Sequence, residues 1–510
     1  MSAGEPAAAR SRMQRIGLWA GPLAAALLYA VLPDVWRGQG GALHEFGHAG
    51  RATAAVAGWM AVWWLSEAIP VYATALLPLV LLPLLGAASM AGAAAPYAHE
   101  VIFLFMGGFL IALTMERWGL HRRLALLALR VAGDRPVRIV GVFMAVTAVL
   151  SMWVSNTATA VMMLPVASSV IALVERQVAA TGGAEAAAAR THTVALGLLL
   201  GIAYAASIGG MATPIGTPPN VFLLSYVESH LGREISFVRW MGVGLPLVLV
   251  FLPLAWLLLT RVLHPIRLPH VAGVDELVRS AREALGPMGR GERVTLAVFL
   301  GAAALWVTRP LLAGLSVGGV RPLAGLSDAG IAMLAALVLF VAPVEGRGGR
   351  FALDWETALR LPWGILILFG GGLSLAAAIQ ANGVGELLGA QVAALAGVPS
   401  LLIVLAVVAG IVFLTELTSN IATTATLVPI LAALAPGLGL DPLLLIVPAA
   451  LAASCAFMLP VATPPNAVVF GSGRVRIGEM SRAGLWLNFV GIAVITVAAY
   501  AVAMPMLAGR

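Results

Sequence analysis

The chain has 510 residues, of which 61% are hydrophobic and only 10% charged, with a mean hydropathy of +0.98. A water-soluble domain of this length carries about a quarter charged residues, so composition excludes a sizeable soluble domain. The net charge of +7 arises from 30 basic side chains, all of them Arg, which in such a chain anchor loops at lipid headgroups rather than bind nucleic acid.

Apolar runs about 20 residues long recur from end to end, the length that a membrane-spanning helix needs. In chain order they lie near 16–33, 53–69, 70–88, 97–118, 190–231, 241–263, 293–312, 326–343, 361–381, 441–475 and 484–507. Two further stretches, 136–175 and 400–435, are longer and carry a polar tripeptide at their centres. The first run follows Arg10, Arg12 and Arg15 as a signal peptide would, but no small-residue cleavage site follows it, so it reads as a retained first helix. Cys455 is the only cysteine, which excludes an intrachain disulfide and a cysteine metal cluster. The expected fold is an all-α polytopic membrane protein with about 11 spanning helices and two re-entrant helical hairpins.

One crossing per helix, with both long stretches turning back, puts the N-terminus in the cytoplasm and the C-terminus outside a cell's inner or plasma membrane. Arg placement agrees. Only Arg37, Arg51, Arg233, Arg239, Arg309, Arg321 and Arg510 fall on outside segments, and the other 23 of the 30 fall on cytoplasmic ones, where positive charge accumulates.

The chain also repeats itself. Leu104-Phe105-Met106-Gly107-Gly108 returns as Leu368-Phe369-Gly370-Gly371-Gly372, and Ser155-Asn156-Thr157 returns as Ser419-Asn420-Ile421, both 264 residues later. Pro165 and Pro429 keep that spacing, and Thr217-Pro218-Pro219-Asn220 returns as Thr463-Pro464-Pro465-Asn466. The expected division is a tail, first helix and outside loop over 1–52, then a first inverted repeat over 53–263 with hairpin 136–175 and broken helix 190–231. A cytoplasmic linker follows over 264–292, then a second repeat over 293–510 with hairpin 400–435 and broken helix 441–475. Inverted repeats with interrupted helices at matching positions point to a transporter's binding site.

The interruptions have a chemistry. Ser, Asn and Thr cap helices, so each tripeptide ends one half-helix and starts another, leaving backbone N–H groups and a positive dipole end at membrane depth. Such an N-terminus suits an anion, and the carbonyls ending the preceding limb suit Na⁺. In the second motif Gly216 permits unwinding, Thr217 can cap and Pro218 suits a first helical turn. Ala462, Thr463 and Pro464 repeat that arrangement. Non-helical backbone at this depth is tolerated where protein buries it or it lines a cavity, so the four breaks are expected to converge on one.

These paired tips and Thr-Pro-Pro-Asn loops resemble the divalent anion:sodium symporter family, with support from Trp64-Leu65-Ser66-Glu67-Ala68-Ile69-Pro70, Pro362-Trp363-Gly364 and Phe457-Met458-Leu459-Pro460-Val461. The resemblance runs from about residue 57 to the C-terminus. It implies a homodimer whose subunits each carry a scaffold and a mobile transport domain, an elevator-type carrier. Substrates of the family are C4-dicarboxylates such as succinate, malate or fumarate, citrate-like tricarboxylates, or sulfate. By resemblance, Ser151, Ser155, Asn156 and Gly216 form one Na⁺ site, and Thr415, Thr418, Asn420 and Ala462 a second. Asn156, Thr157 and Thr217 face one end of the anion, and Ser419, Asn420, Ile421, Thr463 and Pro464 the other. Ile421 departs from the Thr common at its position, which removes a hydroxyl donor and bears on substrate choice.

Three other readings compete. His44-Glu45-Phe46-Gly47-His48 matches the H-E-x-x-H signature of zinc proteases, which would make the chain an intramembrane protease. Its surroundings of Gly38, Gly40, Gly41 and Gly50, its place in an outside loop and the lack of an acidic third ligand weigh against that. Paired broken helices also line channels, and the same scaffold serves a Na⁺-independent exchanger. Glu416, deep in an apolar run, is a candidate either for binding a cation or for bracing the hairpin.

Overall fold

In a computed structural model, residues 11–37, 43–179, 184–316, 319–345, 349–392 and 397–507 are described. Among them the protein is helical almost throughout, and the strands are one short antiparallel pair, β1 (Val35–Arg37) and β2 (Leu43–Glu45). Seven described helices are long and apolar enough to cross a membrane, from Met90–Arg117 to Ile477–Leu507, and six shorter apolar helices accompany them. The protein is a multi-pass membrane protein.

Eight helices build its centre. They are α1 (Pro136–Ser151), α2 (Asn156–Ala179), α3 (Ala184–Gly210) and α4 (Pro218–Leu231), then α5 (Ser400–Thr415), α6 (Asn420–Leu434), α7 (Pro442–Ala453) and α8 (Pro464–Phe470). Each starts where sequence chemistry allows: α1, α4, α7 and α8 open on Pro, whose missing N–H would be unpaired there in any case. The most apolar stretch of α3 is 94% buried, whereas that of Arg290–Gly314 is 11% buried. The first is therefore core and the second lies on the outer surface of the chain, although both are apolar and long.

The α1–α2 stretch leaves from and returns to one place. Val271 N–H donates to the Asp134 carbonyl at 2.7 Å, just before α1. At the far end of α2, Gln177 donates to the His270 carbonyl at 3.0 Å and accepts from Ala272 N–H at 2.9 Å. Three consecutive residues thus hold both ends.

Several elements differ from the sequence reading. The helix expected at 53–69 runs Gly47–Ser66, because the Gly-rich region that weakened the helix pattern ends at a left-handed Gly47 (φ 55°). The run at 70–88 splits into Val71–Thr74 and Leu77–Leu84, since Pro78 cannot donate to the preceding turn. The linker 264–292 contains an amphipathic helix, Val274–Glu283, with Val274 and Val278 buried and its Arg and acidic residues outward. Ion pairs tie the chain across distance: Arg123 to Glu292 at 2.6 Å, Arg117 to Asp354 at 2.6 Å, Arg474 to Glu175 at 2.5 Å and Arg233 to Asp441 at 2.8 Å.

Candidate functional site

The four breaks meet at one cavity of about 850 Å³. From the first half it is lined by Ser155, Asn156, Thr157, Gly216 and Thr217, and from the second by Thr418, Ser419, Asn420, Ile421, Ala462, Thr463 and Pro464. Of the residues expected to hold Na⁺ or the anion, only Ser151 and Thr415 are absent from its wall. Both are fully buried behind it.

Their role is the same in each half. The Ser151 hydroxyl lies against Asn156 Oδ1 and, at 2.7 Å, the Ala206 carbonyl. The Thr415 hydroxyl lies 2.7 Å from Asn420 Oδ1 and 3.0 Å from the Ala453 carbonyl. A hydroxyl has one hydrogen to donate, yet each faces two acceptor oxygens. Both clusters are therefore rich in neutral oxygen lone pairs, the donor set a hard cation prefers. In the first, a methyl on Gly210 would come within 2.9 Å of both Asn156 Oδ1 and the Gly216 carbonyl, so these two oxygens share a cradle that only glycine leaves open. The oxygen-only donor set and this cradle fit Na⁺. Thr418 takes a different part, because its hydroxyl is engaged by the Leu414 carbonyl at 2.9 Å and the Thr423 hydroxyl at 2.7 Å.

Capping divides the hydroxyls. Ser155 accepts from Ala158 N–H at 3.2 Å and Thr463 from Asn466 N–H at 3.4 Å. Thr217, expected to cap, makes no side-chain capping bond, and neither does Ser419. Those two hydroxyls sit on the cavity wall without that commitment. Helices α2, α4 and α6 all begin at the cavity, so their positive dipole ends lie there; α2 and α6 also bring N-terminal N–H groups, whereas α4 opens on Pro218 and Pro219, which have none.

The Asn of each Thr-Pro-Pro-Asn motif faces away from the cavity. Asn220 Nδ2 donates to the carbonyls of Gly210, Met211 and Thr213 at 3.2, 3.3 and 2.9 Å. Asn466 Nδ2 donates to Ala456 and Leu459 at 3.1 and 3.0 Å. Both are fully buried and stitch the unwound backbone that the motif creates. Glu416 does comparable work in the second half only. Its carboxylate accepts from the N–H groups of Phe457, Met458 and Leu459, the shortest at 2.7 Å, and from Asn488 Nδ2 at 2.8 Å. With both oxygens engaged by donors, Glu416 is a brace for the unwound segment. Asn488, a lone Asn in an apolar span, carried no sequence signal for this. Nor did Arg360, which reaches the lining beside Ser11, Gln14 and Glu67 and supplies a cation that neither tip has.

Among the described residues the H-E-x-x-H stretch does not show the single helical face that a zinc site of this signature needs. Glu45 ends strand β2, while His48 lies in the first turn of the Gly47–Ser66 helix. The His44 side chain, like Gly38, Gly40 and Gly41, lies outside what is described. His48 is already used: Nδ1 accepts from the Tyr29 hydroxyl and Nε2 donates to the Leu85 carbonyl, both at 2.7 Å. Among the described residues no group of three or more His, Cys, Asp or Glu side chains is placed to hold a metal.

Comparison with known proteins places this geometry in context. The family model described as the sodium:sulfate symporter transmembrane region matches residues 46–508. The sodium-dependent dicarboxylate transporter SdcS of Staphylococcus saprophyticus is 42% identical over 450 residues, 88% of this chain and 85% of the relative. SdcS of Staphylococcus aureus is 41% identical over 452 residues, with the same coverage. Among solved structures, the YdaH transporter of Alcanivorax borkumensis aligns with a TM-score of 0.55 at 16% identity, covering 96% of this chain and 98% of its own. MtrF of Neisseria gonorrhoeae, one of a class of antimetabolite efflux pumps, aligns at 0.59 and 13% identity over 97% and 95%. At such identities these two share the fold alone.

Proposed function

The chain belongs to the sodium:sulfate symporter family, and from that membership we propose that it couples Na⁺ to the uptake of C4-dicarboxylates such as succinate, malate or fumarate. It is a transporter and not an enzyme. The observation that carries the substrate reading is the two-ended cavity, where two half-helix tips oppose each other with matching Ser151–Asn156 and Thr415–Asn420 clusters behind them. A dianion with a carboxylate at each end meets Asn156, Thr157 and Thr217 at one tip and Ser419, Asn420 and Thr463 at the other. Na⁺ held by Ser151, Ser155, Asn156 and Gly216, and by Thr415, Asn420 and Ala462 with Thr418 bracing beside them, puts positive charge behind each tip. That offsets the cost of taking a dianion out of water. Citrate, sulfate and Na⁺-independent exchange are less favoured by the relatives' names.

Alternating access follows from two inverted repeats working as an elevator, with α1 to α8 in the mobile part and the remaining spans as scaffold of a homodimer. The re-entrant course of α1–α2 is supported by residues 270–272 holding both its ends. The cytoplasmic placement of the N-terminus and outside placement of the C-terminus rest on the Arg distribution; the ion pairs support the grouping of segments by side, since each joins segments assigned to one side. The cavity reaches Ser11, Gln14 and Arg360, so this conformation opens inward.

Uptake of labelled succinate into proteoliposomes, with and without an inward Na⁺ gradient, tests the reading. Uptake is expected to require Na⁺. Asn156→Ala or Asn420→Ala each removes a hydrogen bond to a charged ligand, worth about 1.5–3 kcal/mol, so apparent affinity should fall about ten- to a hundredfold. Unaltered uptake in both variants would place the site elsewhere, and uptake indifferent to Na⁺ would remove the coupling.

A further inference from the structure

Arg360 stands apart from the other cations at its end of the molecule. Arg117 is held by Asp354 at 2.6 Å and donates to the Thr357 hydroxyl at 3.2 Å, and Arg123 is held by Glu292. Arg360 makes no ion pair among the described residues, and it is exposed. Its backbone is nevertheless fixed. Arg360 N–H donates to the Thr357 carbonyl at 3.1 Å and Leu361 N–H to the Ala358 carbonyl at 3.0 Å, and Ala358 and Leu361 are both buried. The turn lies between the short helix Trp355–Ala358, capped by Asp354, and the spanning helix Trp363–Ala381.

Among the described residues lining the large cavity, Arg360 is the one basic side chain, and the other charged ones are Glu67, Glu116 and Glu416. Glu416 is already engaged by backbone N–H groups and Asn488. Glu116 stands in the last turn of the helix that ends at Arg117. Glu67 follows the Gly47–Ser66 helix and is the one described non-glycine residue with a left-handed backbone (φ 47°), so its carboxylate is held there against the local preference for glycine. An anion entering the cavity is repelled by two carboxylates, and one guanidinium opposes them. Arg360, Glu67 and Glu116 all lie outside the α1–α8 group, whereas both tips belong to it.

We propose that Arg360 is a recruiting position for small dianions, separate from the tips, where one carboxylate of the anion is met on its way between solvent and the tips. The planar guanidinium fork matches a carboxylate, and having no carboxylate partner of its own it loses none when the anion arrives. Glu67 and Glu116 repel the same anion and keep its stay short. The inference rests on the carrier reading above: with Arg360 on the scaffold and the tips on the mobile part, the position serves the anion only while the cavity opens at this end.

The test uses the full chain in a non-ionic detergent, with Cys455→Ser and a reporter, Val461→Cys, whose position lines the same cavity and is 87% exposed. Rates of modification by an anionic sulfonatoethyl and a cationic trimethylammonioethyl methanethiosulfonate are measured and expressed as a ratio, which cancels the thiol's own reactivity. Arg360→Gln should lower the anionic-to-cationic ratio at least about tenfold in about 0.01 M salt, the low end of electrostatic focusing in a cleft. The drop should vanish in about 1 M salt, where the Debye length is about 3 Å. Arg360→Lys, which keeps the charge, should hold the ratio, and Glu67→Gln should raise it. Arg360→Met replaces Arg360→Gln if that variant does not fold. A ratio that loss of the Arg360 charge leaves unchanged overturns the recruiting position. Uptake of labelled succinate by the parent in proteoliposomes is followed in parallel. Uptake with an unchanged ratio leaves the carrier reading standing, whereas a responding ratio without uptake supports the recruiting position and removes the proposed substrate.

Discussion

Ser151 and Thr415 never reach the cavity, yet they fix the two Asn side chains that do. The difference matters for interpreting substitutions, because a residue can be essential through what it holds. Glu416 is the clearest case. It receives three backbone N–H donors and the Asn488 amide, so replacing it with Gln turns an acceptor toward donors it cannot satisfy. An unsatisfied buried donor costs about 1–3 kcal/mol. Glu416→Gln is therefore expected to lower the unfolding temperature in detergent equally with and without Na⁺, and to abolish uptake. A Na⁺ ligand would behave otherwise, losing the extra stability that Na⁺ confers while leaving the Na⁺-free protein unchanged. Ile421, by contrast, does reach the wall. It gives the second tip one hydroxyl fewer than the first, where Thr157 stands.

At the scale of the element, the polar tripeptides were legible because capping residues inside an apolar run have few other uses. The repeat made them stronger, since the same break recurs 264 residues later. Less legible was how an unwound segment is kept in shape. The motif Asn residues carry that load from inside, and nothing in their spacing distinguishes a side chain facing a ligand from one facing its own loop. Helix Val274–Glu283 is less legible for another reason: Val274, Leu277, Val278 and Ala281 do recur at helical spacing and pack on the core, but the stripe is short and lies in a charged linker between spanning runs. The hairpin course of α1–α2 can be checked directly. With Cys455→Ser, cysteines at Gln177 and Ala272 should be joined by a short bis-maleimide, as should a pair at Asp134 and Val271. A stretch that crossed the bilayer would leave one of these pairs about 30 Å apart, and that pair would not link.

For the whole molecule, the Arg distribution predicted which loops share a side, and the ion pairs join only such loops. Arg123 with Glu292, Arg474 with Glu175 and His192 with Glu479 gather on one side, and Arg309 with Glu234 and Arg233 with Asp441 on the other. Which side faces the cytoplasm is open to labelling in intact cells. With Cys455→Ser, a cysteine at the exposed Arg321 should react with an impermeant maleimide at once, and one at the exposed Ser280 only after permeabilisation. The reverse pattern would invert the proposed orientation.

The sequence by itself determined that the chain lives in a membrane, where its backbone breaks, and that the breaks come in related pairs. Those properties follow from local composition and capping, which need no partner. Only the tertiary structure decided that Ser155 and Ser419, 264 residues apart, share one cavity, and that Glu416 braces unwound backbone. It also counts against the zinc-site reading, since Glu45 ends a strand and His48 begins a helix, so the motif does not run along one helical face. Burial made the remaining distinction: α3 and the Arg290–Gly314 helix read alike as apolar spans, and only packing shows that one lies in the core and the other on the outer surface of the chain.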